Sequence, residues 1–354
     1  MASKNKKIKG GVKSPSELRL DLINGDWVVV ATGRAKRPED FKGEERKKVK
    51  VPKKKCPFCN IKAQEEPTLV FVNGNEVNFK SWKDFPGNWT LVSVPNKYPA
   101  FSPYPSLNKR KEGGLYQKMN AVGYHEVIIT KDHIKDISRL PLERVKEIFD
   151  AYQKRYLGLM NKRFVNHIFI FHNHGPKAGA SLAHPHSQII TTYLVDSALR
   201  DALRKSETYF EESGECIYCK MNKHELRVKK RIVFENESFI AICPFASKTA
   251  FQVTVSPKKH LSYFEKITEE EKWQLAEAFK IVLGKINKGL NNPDYNFYLR
   301  TAPCDGKKYD YYHWHWTILP KTSIWAGFEM EAKMEISTIE PEEAAEYLRK
   351  QEVK

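Results

Sequence analysis

Two stretches of the chain repeat one order of chemistry-bearing residues, and this repeat restricts the fold more than any other feature. The first runs Cys56-Pro57-Phe58-Cys59, His133, a helical pattern from Pro141, an alternating segment over 165–171, then His184-Pro185-His186. The second runs Cys216-Ile217-Tyr218-Cys219, His260, a helix start at Thr268-Glu269-Glu270-Glu271, a strand-like 296–300, then His313-Trp314-His315. His133 and His184 are 51 residues apart; His260 and His313 are 53 apart. A shared order with matching spacing implies duplication of an α+β unit, divided here as residues 1–195 and 196–354.

The helices are legible from periodicity. Val145, Ile148, Phe149, Tyr152, Tyr156 and Leu159 recur at the three- and four-residue spacing of one helix face. Leu275, Phe279, Val282, Leu283, Ile286 and Leu290 do the same after the capping box at Thr268. The acidic stretch 342–346 opens a third, C-terminal amphipathic helix. Trp314 and Trp316 alternate with the histidines and are expected in the core.

Charge bears on the partner. The net charge is +17, and 17 Lys and Arg against 7 Asp and Glu lie before Cys56. Runs such as Lys47-Lys48-Val49-Lys50 and Lys53-Lys54-Lys55 interleave with few aromatics, so they lack the stacking platforms of a single-strand binder. A solvated basic arm is expected, with no nucleic acid partner. No apolar run approaches the ~20 residues of a membrane span, and no apolar segment follows Met1, so a cytoplasmic protein is expected.

Four of the six cysteines form the two C-x-x-C pairs. In a long chain without a secretory signal, such pairs read as metal ligands or redox dithiols. Each pair places two thiolates on one turn, within reach of a single tetrahedral zinc. Cys56, Cys59, His133 and His184 complete a closed four-coordinate set; Cys216, Cys219, His260 and His313 form the corresponding set. Within a strand, His184 and His186 would share a face. His186 is then left over beside a metal-locked strand, placed as a nucleophile. The alternative is that both histidines bind metal and nothing is catalysed. Cys243 and Cys304 read as small buried apolar residues. His125, His167 and His224 read as ordinary structural or surface histidines.

The loop at 173–181 adds Gly175 and Gly179, which would let backbone N–H groups approach an anion, with Lys177, Ser181 and Gln188 as further donors. Donors clustered beside a neutral imidazole suit attack on phosphorus. A covalent phosphoramidate would form and be resolved by a phosphate-bearing acceptor, in ping-pong order. His172 and His174, beside this loop, are secondary candidates for substrate contact.

Phe171-His172-Asn173-His174-Gly175, Gly179 and His184-Pro185-His186-Ser187-Gln188 resemble the signature of the galactose-1-phosphate uridylyltransferase family, within the histidine-triad superfamily. The departures are His172 and His174, where the family carries Glu and Arg or Lys. Further matches are 33–38, 95–99, 131–133, 257–260, 327–329 and 341–345. The resemblance implies two histidine-triad-like halves, each an antiparallel sheet with helices packed on it, in a homodimer whose active site is completed by the partner subunit. It implies His186 as the nucleotidylated residue and Gln188 and Ser181 as phosphate contacts. Arg34 and Arg37 would hold the phosphates of a nucleotide sugar, and Asn96, Asn173 and the loop around Gly179 would contact substrate. Two zinc ions per chain follow from the two Cys-Cys-His-His sets. The activity implied is transfer of UMP between UDP-glucose and a hexose 1-phosphate through His186. The alternative is adenylyl transfer acting on ADP-glucose. Cys216 and Cys219 resemble the plant ADP-glucose phosphorylases, as does Ser187. Glu335 stands about where uridylyltransferases place a hexose-contacting glutamine. His315 is expected to be a remnant of duplication or a neighbour of the second metal set.

Overall fold

The structure, a computed structural model, describes residues 15–31, 36–43, 51–324 and 326–353. The helical patterns after Pro141 and Thr268 and the strand-like segments at 165–171 and 296–300 are helices and strands in it. The first half contains β1 (Glu17–Leu20), β2 (Trp27–Val30), β3 (Leu69–Val72), β4 (Asn75–Glu76), β5 (Leu91–Pro95), β6 (Arg110–Glu112), β7 (Tyr116–Lys118), β8 (His125–Thr130), helix α1 (Leu142–Met160), β9 (His167–His174) and β10 (His186–Thr192). The second contains α2 (Ser197–Ser213), α3 (Ile217–Val228), β11 (Ile232–Glu235), β12 (Phe239–Ile242), β13 (Val253–Pro257), α4 (Glu269–Gly289), β14 (Tyr295–Arg300), β15 (His315–Pro320), α5 (Gly327–Ala332), β16 (Ile336–Ser337) and α6 (Pro341–Arg349).

One sheet of eleven strands carries both halves, in the order β11-β12-β13-β15-β14-β9-β10-β8-β5-β3-β4, and every described pairing in it is antiparallel. The seam is β9 against β14, with Asn173 opposite Asn296 and His172 opposite Phe297. Outward from the seam the two arms run β10, β8, β5, β3 and β15, β13, β12, β11. The helices α1 and α4 immediately precede the two seam strands, so strand order and helix placement repeat together. The fold is α+β with duplicated halves, as the repeat implies.

α1 and α4 lie side by side on one face of this sheet. Their apolar stripes are buried, and Phe149 meets Phe279 with ring centroids 5.0 Å apart, both resting on Trp316 at 5.8 and 5.5 Å. Trp314 and Trp316 are fully buried, and one apolar core joins the two halves beneath the helices. α4 begins at a closed capping box: Glu271 N–H donates to Thr268 Oγ1 at 3.2 Å, and Thr268 N–H donates to the Glu271 carboxylate at 2.9 Å. Such a cap contributes about 1 kcal/mol to the helix. The acidic stretch opens α6 as expected. A separate sheet of β1, β2 and β16 brings the two ends of the chain together.

One expectation is corrected. The H-x-H histidines do not sit together within a strand, because β10 and β15 begin at the second histidine of each motif. Pro185 has no N–H for a ladder, and Trp314 N–H donates to Leu261 O at 2.9 Å. Each first histidine therefore stays in the loop, free to turn toward its cysteines. Lys47-Lys48-Val49-Lys50 and Arg34 lie outside the described residues; Lys53–Lys55 form an exposed single turn.

Candidate metal centres and nucleophile

Both Cys-Cys-His-His sets come together. Within each, the ligand atoms of Cys56, Cys59, His133 and His184, or of Cys216, Cys219, His260 and His313, all lie within 4.8 Å of one another. The histidine tautomers are fixed from outside. His133 Nε2–H donates to Val51 O and His184 Nε2–H to Thr130 O, each at 2.7 Å. In the second set His260 donates to Asp310 O at 2.7 Å and His313 to Pro257 O at 2.9 Å. A carbonyl only accepts, so each Nε2 carries the proton and each Nδ1 turns a lone pair toward the sulfurs.

His133 Nδ1 and His184 Nδ1 are 3.3 Å apart with no proton between them. Two lone pairs at that distance repel unless a cation lies among them. Sulfur-to-nitrogen distances are 3.4 Å for Cys56 to His184, 3.2 Å for Cys59 to His133, and 3.4 and 3.5 Å for Cys219 to His260 and His313. Tetrahedral zinc, with bonds of about 2.0–2.1 Å to nitrogen and 2.3 Å to sulfur, sets about 3.3 Å between nitrogens and about 3.6 Å between nitrogen and sulfur. Both donor sets fit that geometry. Without a cation, burial and the adjacent Cys56 push the Cys59 thiol up to about 11. Cys243 is fully buried and Cys304 partly so; burial raises both thiols, Cys304 to about 12.

His186 stands next to the first set but outside it. Its Nδ1–H donates to the His184 carbonyl at 2.9 Å, which fixes the tautomer and leaves the Nε2 lone pair unspent. Phe58, between the two cysteines, packs edge-on against both the His186 and His184 rings, at 5.0 and 5.7 Å. Burial holds His186 below the usual imidazole range, against the opposing effect of the His184 carbonyl. The ring is thus oriented, with the Nε2 lone pair available.

The surrounding donors differ from the sequence expectation. Gly175 and Gly179 do adopt positive φ, 86° and 85°, where glycine is favoured. Four of the loop's backbone N–H groups are engaged within the fold, however. Ala178 and Ala180 donate to Gly175 O, and Gly179 to Pro176 O, at 3.0–3.1 Å. Lys177 N–H goes to Asp294 at 2.6 Å. Candidate side-chain donors are Gln188, two residues along β10 on the His186 face, Asn173, and the exposed Ser181. Asn173 is oriented from the second half. Asn296 Nδ2 donates to both Ala178 O and Asn173 Oδ1 at 2.8 Å, so the Asn173 amide nitrogen faces away from the seam.

Asn96 joins this group through a histidine that sequence reasoning set aside. His125 Nε2 lies 2.8 Å from Gln188 Oε1 and 3.1 Å from Asn96 Nδ2. His172 and His174 are corrected in the other direction. Both are buried on the helix-covered side of β9, stacked on Phe297 at 4.9 Å and Tyr295 at 4.5 Å, and His172 meets Ser187 Oγ at 3.0 Å. Alternation along the strand turns them away from Asn173. Arg37 belongs to a segment that docks on the second half, with Phe41 on Phe251 at 5.2 Å and Lys36 N–H on Thr338 O at 2.9 Å.

Comparison with known proteins decides the family. Residues 11–195 match the family model for the galactose-1-phosphate uridyl transferase N-terminal domain, and residues 202–353 match that for its C-terminal domain. The chain belongs to the galactose-1-phosphate uridylyltransferase family. An ADP-glucose phosphorylase of Arabidopsis thaliana is 32% identical over 94% of this chain and 92% of its own length. A galactose-1-phosphate uridylyltransferase of Thermotoga maritima is 29% identical over 95% and 99%. Among solved structures, the Arabidopsis thaliana ADP-glucose phosphorylase with bound ADP-glucose superposes with a TM-score of 0.79 at 29% identity, covering 96% of this chain and 100% of that one. A uridylyltransferase structure gives 0.71 at 27% identity, covering 94% and 97%. As a member of this nucleotidyltransferase family, the chain is an enzyme. Among the described residues no helix is long and apolar enough to cross a membrane.

Within the family fold, the second half repeats the posture of His186 without a counterpart of Gln188. His315 Nδ1–H donates to His313 O at 3.2 Å, and Tyr218, in the place of Phe58, lies 5.4 Å from its ring. In place of Gln188, two residues on, stands Thr317. His315, Thr317, Tyr298 and Glu335 line a cleft of about 1670 Å³ together with residues of α2 and α3, and its lining does not include His186. Glu335 is buried there, 3.7 Å from Lys248.

Proposed function

We propose that the enzyme transfers a nucleoside monophosphate from a nucleoside diphosphate glucose through a covalent intermediate on His186. The observation that carries this is the His186 ring, held through Nδ1–H by the carbonyl of His184 so that Nε2 is left to attack. Nε2 attacks the phosphorus bound to the nucleoside. The P–N bond forms as the bond to the bridging oxygen breaks, and glucose 1-phosphate departs with the electron pair. Gln188, Ser181 and Asn173 stabilise charge on the non-bridging oxygens. A phosphate-bearing acceptor then attacks the same phosphorus and restores His186.

Zinc is the metal we assign to both Cys-Cys-His-His sets. In the half before residue 196 it would hold His184, and through its carbonyl the nucleophile; in the half after it the role would be structural. Arg34 and Arg37 remain proposed phosphate contacts, and residues 1–195 the half that carries the chemistry.

For donor and acceptor, we infer UDP-glucose and a hexose 1-phosphate from the histidine loop shared with the uridylyltransferases and the Thermotoga maritima relative. ADP-glucose is the second reading. The second cysteine pair, Ser187, Glu335 and the Arabidopsis thaliana relative favour it. Incubation with each nucleotide sugar followed by intact-mass measurement separates them. A UMP-sized increment lost in His186→Ala supports the first, and an AMP-sized one supports the second.

A further inference from the structure

His125 offers one lone pair to two donors, and which of them takes it decides what Gln188 can do. Ala100 N–H points at His125 Nδ1 from 3.1 Å, and Asn96 Nδ2 lies 3.1 Å from His125 Nε2. A neutral imidazole has a single lone pair. The Ala100 donor is a backbone group, held in the chain that follows β5, and it cannot turn into an acceptor. Asn96 is a side chain: its Oδ1 accepts from Tyr98 N–H at 2.9 Å, and rotation about its own bonds can swing Nδ2 away from His125 Nε2, which the backbone donor at Ala100 cannot do. The fixed donor therefore takes the Nδ1 lone pair, and the proton lies on Nε2. That N–H meets Gln188 Oε1 at 2.8 Å.

The strand register gives this bond a direction. On one face of β10, Gln188 lies between His186 and Ile190, and His125 of β8 pairs with Ile190. The Gln188 amide is thus gripped by its oxygen from the side away from His186. We infer that His125 is a positioning residue for nucleotidyl transfer, holding the Gln188 amide so that its NH₂ group, and not its oxygen, faces the phosphate at His186. With the opposite tautomer, Gln188 would have to donate to His125 and turn its carbonyl oxygen toward the anion, which repels it. Burial favours the neutral ring, holding His125 below the usual imidazole range. The inference rests on the nucleotidyl-transfer reading above for its catalytic consequence, and on geometry alone for the tautomer.

Two measurements test it separately. Long-range ¹H–¹⁵N spectra of the intact protein labelled at histidine nitrogens, with His125→Gln to assign the resonance, should show His125 protonated at Nε2 and bare at Nδ1. The reverse tautomer, or a doubly protonated ring at neutral pH, overturns the positioning whatever the activity. In single-turnover formation of the His186 adduct from UDP-glucose or ADP-glucose, Gln188→Ala should slow the step about a hundredfold, as for loss of one preorganised donor. His125→Ala should slow it about tenfold, the loss of one hydrogen bond. The double variant should match Gln188→Ala within twofold, because His125 acts only through Gln188. His125→Gln, which can present an amide N–H to Gln188, should recover most of the rate. Multiplicative losses in the double variant, or a His125→Ala rate within twofold of wild type, would overturn the inference. Absence of any adduct in the wild-type enzyme would sink the nucleotidyl-transfer reading instead.

Discussion

Removing His133 tests how the first metal set controls the nucleophile, because His133 supplies one ligand atom and the contacts described for it are with the set and Val51 O. In His133→Ala, the three remaining donors leave zinc with an open position, and Val51 O loses its donor. If occupancy normally stands near a thousandfold above the dissociation constant, losing the ion costs about 4 kcal/mol. At about 2.1 cal/mol/K per residue, the whole chain unfolds with an entropy near 0.7 kcal/mol/K, so the melting temperature should fall by roughly 5–6 °C. The kinetic effect passes through one bond. His184 would no longer be pinned, and its carbonyl, which accepts from His186 Nδ1–H at 2.9 Å, would lose its fixed place. A hydrogen bond of net worth about 0.5–1.5 kcal/mol corresponds to a slowing of up to about tenfold. Elemental analysis should show zinc falling from two ions per chain to one, and single-turnover intact mass should show the slower adduct. Full zinc content in the variant, or loss of one zinc with an unchanged adduct rate, would refute the reasoning.

Other consequences are independent. Cys219→Ser should remove the second zinc yet leave the adduct rate within about threefold, because His313 orients His315 and not His186; a hundredfold loss would show the two sets to be coupled. Asn296→Ala should release the Asn173 amide and raise KM for the nucleotide sugar several-fold, with adduct chemistry otherwise intact; unchanged KM would remove Asn173 from the site. Acid should destabilise the fold through His167, whose pKa burial lowers to about 4 from 6.5. Its contribution is intact above pH 6.5 and lost as pH falls toward 4, by at most roughly 3 kcal/mol. His167→Phe should therefore flatten the decline in melting temperature between these pH values, and an identical decline would assign it to other groups.

How much of this was legible in the sequence depended on whether the partners lay along the chain or across it. The stripes of α1 and α4, the capping box at Thr268 and the two Cys-Cys-His-His sets are encoded by spacing, and the structure assembles all of them. Gln188 and Asn173 are legible in the loop motif, but what holds them is not. His125 reaches Gln188, and Asn296 reaches Asn173, through strand register, and no local pattern displays which residues register will oppose. Asn296 did carry one signal: it lies opposite Asn173 at the seam of the two halves, which the repeat itself could have suggested. His172 and His174 misled because proximity to the phosphate loop in sequence does not fix strand face. The loop glycines do adopt positive φ, but which N–H groups the turn spends internally depends on its closed conformation, which composition does not display.

The central claim is that His186 becomes covalently nucleotidylated. The most direct test is the intact mass of the purified enzyme after incubation with UDP-glucose and, separately, with ADP-glucose. The account predicts an increment of one nucleoside monophosphate, mapped to His186, discharged by a phosphate-bearing acceptor and missing in His186→Ala. No increment with either donor while glucose 1-phosphate is nonetheless released, or an increment that persists in His186→Ala, would contradict it.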